Sequence, residues 1–113
     1  MSTITIYHNP RCSKSRTTLA LLRENGYDPD VIEYLIDPPD VKTIKGLLKK
    51  LGMQPVELIR QKEHRSLDLP PTNDPDELTT RMAAHPEIIQ RPIVVKGNPA
   101  RLGRPPENVS DLL

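Results

Sequence analysis

The chain has 113 residues, 16 Lys plus Arg against 15 Asp plus Glu, one cysteine, three tyrosines and no Phe or Trp. That length supports one hydrophobic core and not two, and the interspersed, nearly balanced charge and scarce aromatics exclude a polyanion field and a stacking platform for nucleic acid. A lone thiol excludes an internal disulfide framework, no segment carries the roughly 20 apolar residues of a membrane helix, and the N-terminus lacks the charged stretch and apolar run of a secretory leader, so a soluble cytoplasmic domain is expected, with neither nucleic acid nor membrane as partner.

Residues 2–7 set Ile4 and Ile6 against Thr and predict a strand, and His8-Asn9-Pro10 predicts a turn. Ser13 to Asn25 predicts a helix with Leu19 and Leu22 on one face and Gly26 as its stop. Val31–Leu35 is the second strand, parallel to the first through a right-handed crossover. After Asp37-Pro38-Pro39, Asp40 caps a helix whose Ile44, Leu47, Leu48 and Leu51 recur at helical spacing, with Gly52 ending it. A short helix follows from Pro55 to about Lys62, and another starts at Asp74, with Pro75 in its first position and Glu77 three residues after the cap.

Residues from about 37 to 90 thus form a helical block inserted between the second and third strands. Pro92–Val95 predicts the third strand, Gly97-Asn98 a hairpin turn and Ala100–Gly103 its partner. Pro105-Pro106 opens a last helix carrying Val109, Leu112 and Leu113 inward. The thirteen prolines occur singly or in pairs, as punctuation between elements. The element order predicts an α/β, thioredoxin-like (glutaredoxin-like) fold with a mixed sheet and a helical insertion, all within one domain, 1–113.

Cys12 falls at the joint between the first strand and the first helix, where backbone N–H groups and the positive end of the helix dipole favour a thiolate. Such positions bring a thiol from about 8.5 down to roughly 3.5–7.5. Arg11, Lys14 and Arg16 stand beside it in sequence, and His8 lies on the same loop. The same N–H groups form a cradle in which a tetrahedral oxyanion meets the sulfur. The plain alternative, a small buried hydrophobe, fits poorly with a polar, Pro-containing loop.

Taken singly, Arg60, Arg91 and Arg104 read as solvated surface arginines, and His8 as a polar loop residue. In a thioredoxin-like fold, however, the loop before the third strand carries a cis-proline beside the active cysteine, which would bring Arg91 to the thiol. A permanently charged planar fork suits oxyanion binding there. Lys42, Lys45, Lys49 and Lys50 read as the wet face of a helix, Met53 and Met82 as core, and His64 and His85 as surface groups with no partner at metal-ligand spacing. No metal site is expected.

The run His8-Asn9-Pro10-Arg11-Cys12-Ser13-Lys14-Ser15-Arg16-Thr17-Thr18-Leu19 resembles the active-site loop of glutaredoxin-dependent arsenate reductases, whose pattern is His-Asn-Pro-x-Cys-x-x-Ser-Arg. Arg91-Pro92-Ile93-Val94-Val95 resembles the family's second signature and Arg101-Leu102-Gly103-Arg104-Pro105 its third. The resemblance runs from Ile4 to Leu113, with Cys-Ser-Lys-Ser where well-established reductases have Cys-Gly-Thr-Ser and without their longer C-terminal tail, as in a shorter branch of relatives.

The resemblance implies a nucleophile at Cys12, oxyanion-binding arginines at Arg60, Arg91 and Arg104, a thiolate-supporting His8, and Asn9 and Ser15 as substrate-binding loop residues. It implies reduction of arsenate to arsenite through a thiol–arsenate adduct, with glutathione as co-substrate, glutaredoxin as the resolving partner, no bound cofactor, and a monomer. Two alternatives remain: a monothiol oxidoreductase acting on glutathione mixed disulfides, and a non-enzymatic Spx-like regulator that binds RNA polymerase. The latter class uses a Cys-x-x-Cys switch, whose second position here is Ser15.

Overall fold

The computed structural model describes residues 4–113, so the first two positions of the predicted strand, Ser2 and Thr3, lie outside the described residues. The chain forms two compact units, one holding the residues up to Asp37 together with Arg91–Leu113, the other Pro38–Gln90.

In the first unit, β1 (Ile4–His8) is followed by α1 (Ser13–Glu24) and β2 (Asp30–Glu33), then after the second unit by β3 (Ile93–Lys96), β4 (Ala100–Leu102) and a terminal 3-10 helix, Pro106–Leu112. The sheet order is β2-β1-β3-β4. β1 runs parallel to β2, with His8 opposite Glu33, and antiparallel to β3, with Ile6 opposite Val94. This mixed sheet is thioredoxin-like.

Alternation along β1 buries Ile4 and Ile6, while β3 buries Ile93, Val94 and Val95 in succession, as an interior strand covered on both faces does. Ile4, Ile6, Leu22, Val94, Val109 and Leu112 make the apolar centre, with Leu19, Leu21, Tyr27 and Leu113 partly buried against it. α1 differs from the expected Leu19 and Leu22 stripe: its buried residues are Ser15, Thr18 and Leu22. Two polar side chains thus face inward on the turns nearest Cys12. β2 ends at Glu33 rather than Leu35, because Ile36 and Asp37 turn their N–H groups back to the Glu33 carbonyl.

In the second unit, α2 (Val41–Leu51) buries Ile44, Leu47 and Leu48, accepts the Thr43 N–H on the Asp40 carboxylate, and ends at Gly52 in the left-handed conformation, φ 69°. α5 (Pro75–Ala84) is capped by Asp74, whose carboxylate accepts from Glu77 N–H, and packs against α2. The single helix expected from Pro55 to Lys62 is two pieces: α3 (Pro55–Leu58) and α4 (Gln61–Ser66).

Ile59 breaks it by pairing, strand-like, with Ile89, while Arg60 N–H bonds the Ile88 carbonyl and Gln90 N–H the Leu58 carbonyl. Tertiary pairing outweighs local helical preference. Arg81 on α5 is buried and satisfied: it donates to the Pro70 carbonyl at 2.7 Å and to His64 Nε2 at 3.1 Å, and faces Glu77 at 3.3 Å. His64, expected as a free surface group, is thereby an acceptor that ties α4 to α5.

Candidate active site

Cys12 is the N-cap of α1, with extended backbone (φ −94°, ψ 122°). Ser, Thr, Asp or Asn at this position accepts a hydrogen bond from the first-turn N–H groups; a thiol in the same place is a poor acceptor until it ionises. It forms no regular cap bond in this state, yet the first-turn N–H groups face it. Partial burial raises the Cys12 pKa, and this is outweighed by donation from Ser15 N–H, from the Arg91 guanidinium and from Lys14 N–H, so the net shift is downward from 9.0. The sulfur is half-buried and free.

The loop that presents it is fixed from within. Cys12 N–H bonds the Asn9 carbonyl and Arg11 N–H bonds Asn9 Oδ1, each at 3.0 Å, which closes a tight turn around Pro10. Arg16 Nη1 donates to the Pro10 carbonyl at 2.9 Å. Ser15 Oγ accepts from Asn9 N–H at 3.0 Å and is hydrogen-bonded to His8 Nδ1, 2.6 Å away. Burial lowers the His8 pKa, with Arg23 and Arg16 adding to it and Glu33 opposing. The hydrogen bond of His8 thus goes to Ser15 and not to the thiol, and its influence on Cys12 passes through the loop.

Arg91 is brought to the sulfur by the cis peptide bond to Pro92 at the start of β3, the cis-proline expected there. Its Nε is buried with no hydrogen-bond partner, and no carboxylate pairs with it among the described residues. A guanidinium held against a thiol with an unused buried donor is a binding group awaiting an acceptor.

Arg104, also followed by a cis-proline, comes after Gly103, whose N–H bonds the Pro92 carbonyl at 2.9 Å. The two arginines therefore belong to adjoining segments. Arg60 sits in the other unit, as the N-cap of α4, and is already paired, with Nε 2.6 Å from Glu63 Oε2.

Sequence reasoning missed Thr18 and Gly103. Thr18 is fully buried on α1, and a Cβ on Gly103 would lie 2.5 Å from Thr18 Oγ1 and 2.8 Å from Pro92 Cγ. The only local signal was the spacing of Ser15, Thr18 and Leu22 along one helical face. Among the described residues no three His, Cys, Asp or Glu side chains converge as a metal would need. No helix among them is long and apolar enough to cross a membrane.

The family model described as the ArsC family matches residues 7–112. The chain belongs to the ArsC family. A protein called "Arsenate reductase" in Neisseria meningitidis serogroup A is 42% identical over 117 residues, covering all of both chains. An uncharacterized protein of Escherichia coli K12, YfgD, is 49% identical over 114 residues, 97% of this chain and 96% of that one. Among solved structures, "Arsenate reductase from Vibrio cholerae" superposes with a TM-score of 0.92 at 46% identity, covering 99% of this chain and 98% of that one. This ArsC-family chain thus shares its thioredoxin-like fold with proteins named for reduction of arsenate.

Proposed function

We propose that the protein is an arsenate reductase in which Cys12 is the nucleophile, Arg91 and Arg104 bind the oxyanion, and glutathione and glutaredoxin supply the reducing thiols. One observation carries this reading: the Cys12 thiol, at the mouth of α1, has its pKa lowered by first-turn N–H groups and by a guanidinium that has a buried donor to spare. The names of the relatives support the choice of arsenate among oxyanions.

The Cys12 thiolate attacks arsenic(V), an S–As bond forms, and one arsenate oxygen leaves with protons as water. Arg91 and Arg104 stabilise the remaining oxygens, a type of electrostatic assistance worth about 3–4 kcal/mol per well-placed donor. A glutathione thiolate then attacks the Cys12 sulfur, an S–S bond forms, and the S–As electron pair stays on arsenic, which leaves as arsenite. The two thiols lose the two electrons that arsenic gains. Glutaredoxin attacks the glutathione sulfur of the mixed disulfide and returns Cys12 as thiolate. With one cysteine in the chain, both further thiols of this scheme come from outside.

His8 and Ser15 shape the thiol loop in this scheme, and Asn9 and Ser15 meet the anion through the backbone they hold in place, since the Ser15 hydroxyl is engaged with His8. Arg60 enters on the family resemblance alone, and arsenate would compete there with Glu63. We further propose a cytoplasmic monomer. The Spx-like alternative lacks its second thiol, because Ser15 Oγ occupies that position fully buried.

Turnover in a mixture of arsenate, glutathione, glutaredoxin and NADPH is the test. Cys12→Ser should reduce it to the uncatalysed background; turnover surviving that substitution would remove Cys12 from the chemistry. Activity on glutathione mixed disulfides with none on arsenate would move the assignment to the monothiol oxidoreductase.

A further inference from the structure

The thiol and the two arginines of the first unit come from three separate stretches of chain, and something must set their spacing. Cys12 belongs to the first turn of α1, Arg91 precedes Pro92 and β3, and Arg104 follows Gly103 and β4. The three stretches meet at one place. Thr18 is fully buried on α1, and its hydroxyl donates to the Lys14 carbonyl at 2.7 Å, so its proton is spent inside the helix.

Its remaining surface faces Gly103. A Cβ built on Gly103 would stand 2.5 Å from Thr18 Oγ1, 3.1 Å from Thr18 Cγ2 and 2.8 Å from Pro92 Cγ. Side-chain carbons do not approach other heavy atoms so closely. Gly103 is thus wedged between Thr18 and Pro92, and its N–H bonds the Pro92 carbonyl at 2.9 Å. No positive φ demands glycine at 103, unlike at Gly26, Gly52 and Gly97. Close approach alone accounts for it.

We propose that Thr18 and Gly103 are positioning residues for the oxyanion site: their contact with each other and with Pro92 sets how far the Arg91 and Arg104 guanidiniums stand from the Cys12 sulfur. The inference rests on the reading of those arginines as oxyanion ligands. The immediate chain neighbours of Gly103 and Pro92 are Arg104 and Arg91, so a displacement of either backbone segment from α1 carries its guanidinium with it. Preorganised donors lose much of their effect when misplaced by about an ångström. One threonine side chain therefore gauges both arginines against the helix that carries the thiol.

The test is protection of Cys12 from iodoacetamide by arsenate, and separately by sulfate, in the full-length protein at fixed pH. The alkylation rate is also followed against pH, and a thermal midpoint is recorded for every variant. Gly103→Ala should raise the arsenate concentration for half-protection at least tenfold and move the alkylation profile to higher pH, since Arg91 is among the groups that depress the thiol. Thr18→Ala, which removes the wedge without adding bulk, should also weaken protection, and serves if Gly103→Ala does not fold.

Joining the two substitutions gives the added methyl the space of Oγ1 and Cγ2 and leaves only the approach to Pro92 Cγ, so the double variant should protect better than Gly103→Ala alone, against the sum of the two losses that independent sites would give. A residue that merely stabilises the fold would lower the thermal midpoint and leave half-protection and pH profile where they were; that result overturns the proposal. A parent protein whose thiol neither anion protects would instead overturn the oxyanion reading itself, and this inference with it.

Discussion

The thiol of Cys12 ionises against opposing influences whose balance is set by a few atoms. Burial alone would keep it protonated, and the N–H groups of Ser15 and Lys14, together with the Arg91 guanidinium, reverse the outcome. The backbone donors survive any side-chain substitution that leaves α1 intact, whereas the guanidinium does not. Arg91→Ala should therefore move the pH midpoint of Cys12 alkylation upward. Arg104→Ala should leave the midpoint in place, because Arg104 is not among the groups acting on the sulfur, and should weaken only protection by arsenate. Alkylation rates across pH 5–10 with and without arsenate read both; equal upward shifts in the two variants would contradict this division of labour. Cys12 and its loop were legible from residue order, since an N-cap position and a turn around Pro10 are local matters. The bond from Ser15 to His8 was not, because which of two neighbours a histidine meets depends on side-chain directions that spacing does not fix.

At the scale of elements, what was legible was again what is local. Asp40 and Asp74 cap the helices they were expected to start, and Gly52 ends α2. The strand–helix–strand opening and the Gly97-Asn98 hairpin follow the same logic. Where a distant segment intervenes, sequence reading failed. The helix expected over Pro55–Lys62 breaks at Ile59 because Ile89, thirty residues on, offers it backbone pairing. The terminal segment is 3-10 rather than α-helical, although Val109 and Leu112 point inward as expected. A cap seen in both sequence and structure gives a clean test of local energetics. Asp40 Oδ1 accepts from Thr43 N–H at 2.8 Å, and α2 has no acidic residue in its first turn to share the duty. Asp40→Ala should lower the urea midpoint of unfolding, and Asp40→Asn much less, since either side chain caps well. Because the Thr43 N–H and hydroxyl, with the nearby Lys42 charge, hold the Asp40 carboxyl below its ordinary value, the Asp40 contribution should persist at neutral pH and fade only in strong acid. An Asp40→Ala loss that stays constant as pH falls through that range would assign the effect to helix propensity instead of the cap.

For the molecule as a whole, an open four-stranded sheet leaves two edges, and β2 is one of them. Natural sheets protect such edges by brevity and by charge. β2 has four residues, and its exposed Asp30 and Glu33 flank Val31, which is 40% exposed. Beyond it Leu35 and Ile36 are 43% and 78% exposed, so the segment from Val31 to Ile36 would be an apolar, β-prone run were Glu33 removed. The net charge of only +1 gives the chain little long-range repulsion between copies. Local charge on the edge must therefore do what overall charge cannot. Replacing Asp30 and Glu33 together by Val lengthens the apolar run to seven residues, 30–36, and raises the β-propensity of both positions. Light scattering should then show mass rising with concentration in the micromolar range while the parent protein stays at one chain, and Asp30→Lys with Glu33→Lys should stay there too, since charge of either sign guards an edge. If the valine variant remained at one chain throughout, brevity and strand twist alone would be protecting β2, and the two carboxylates would be free to serve the electrostatics of the neighbouring loop, where Glu33 already acts on His8.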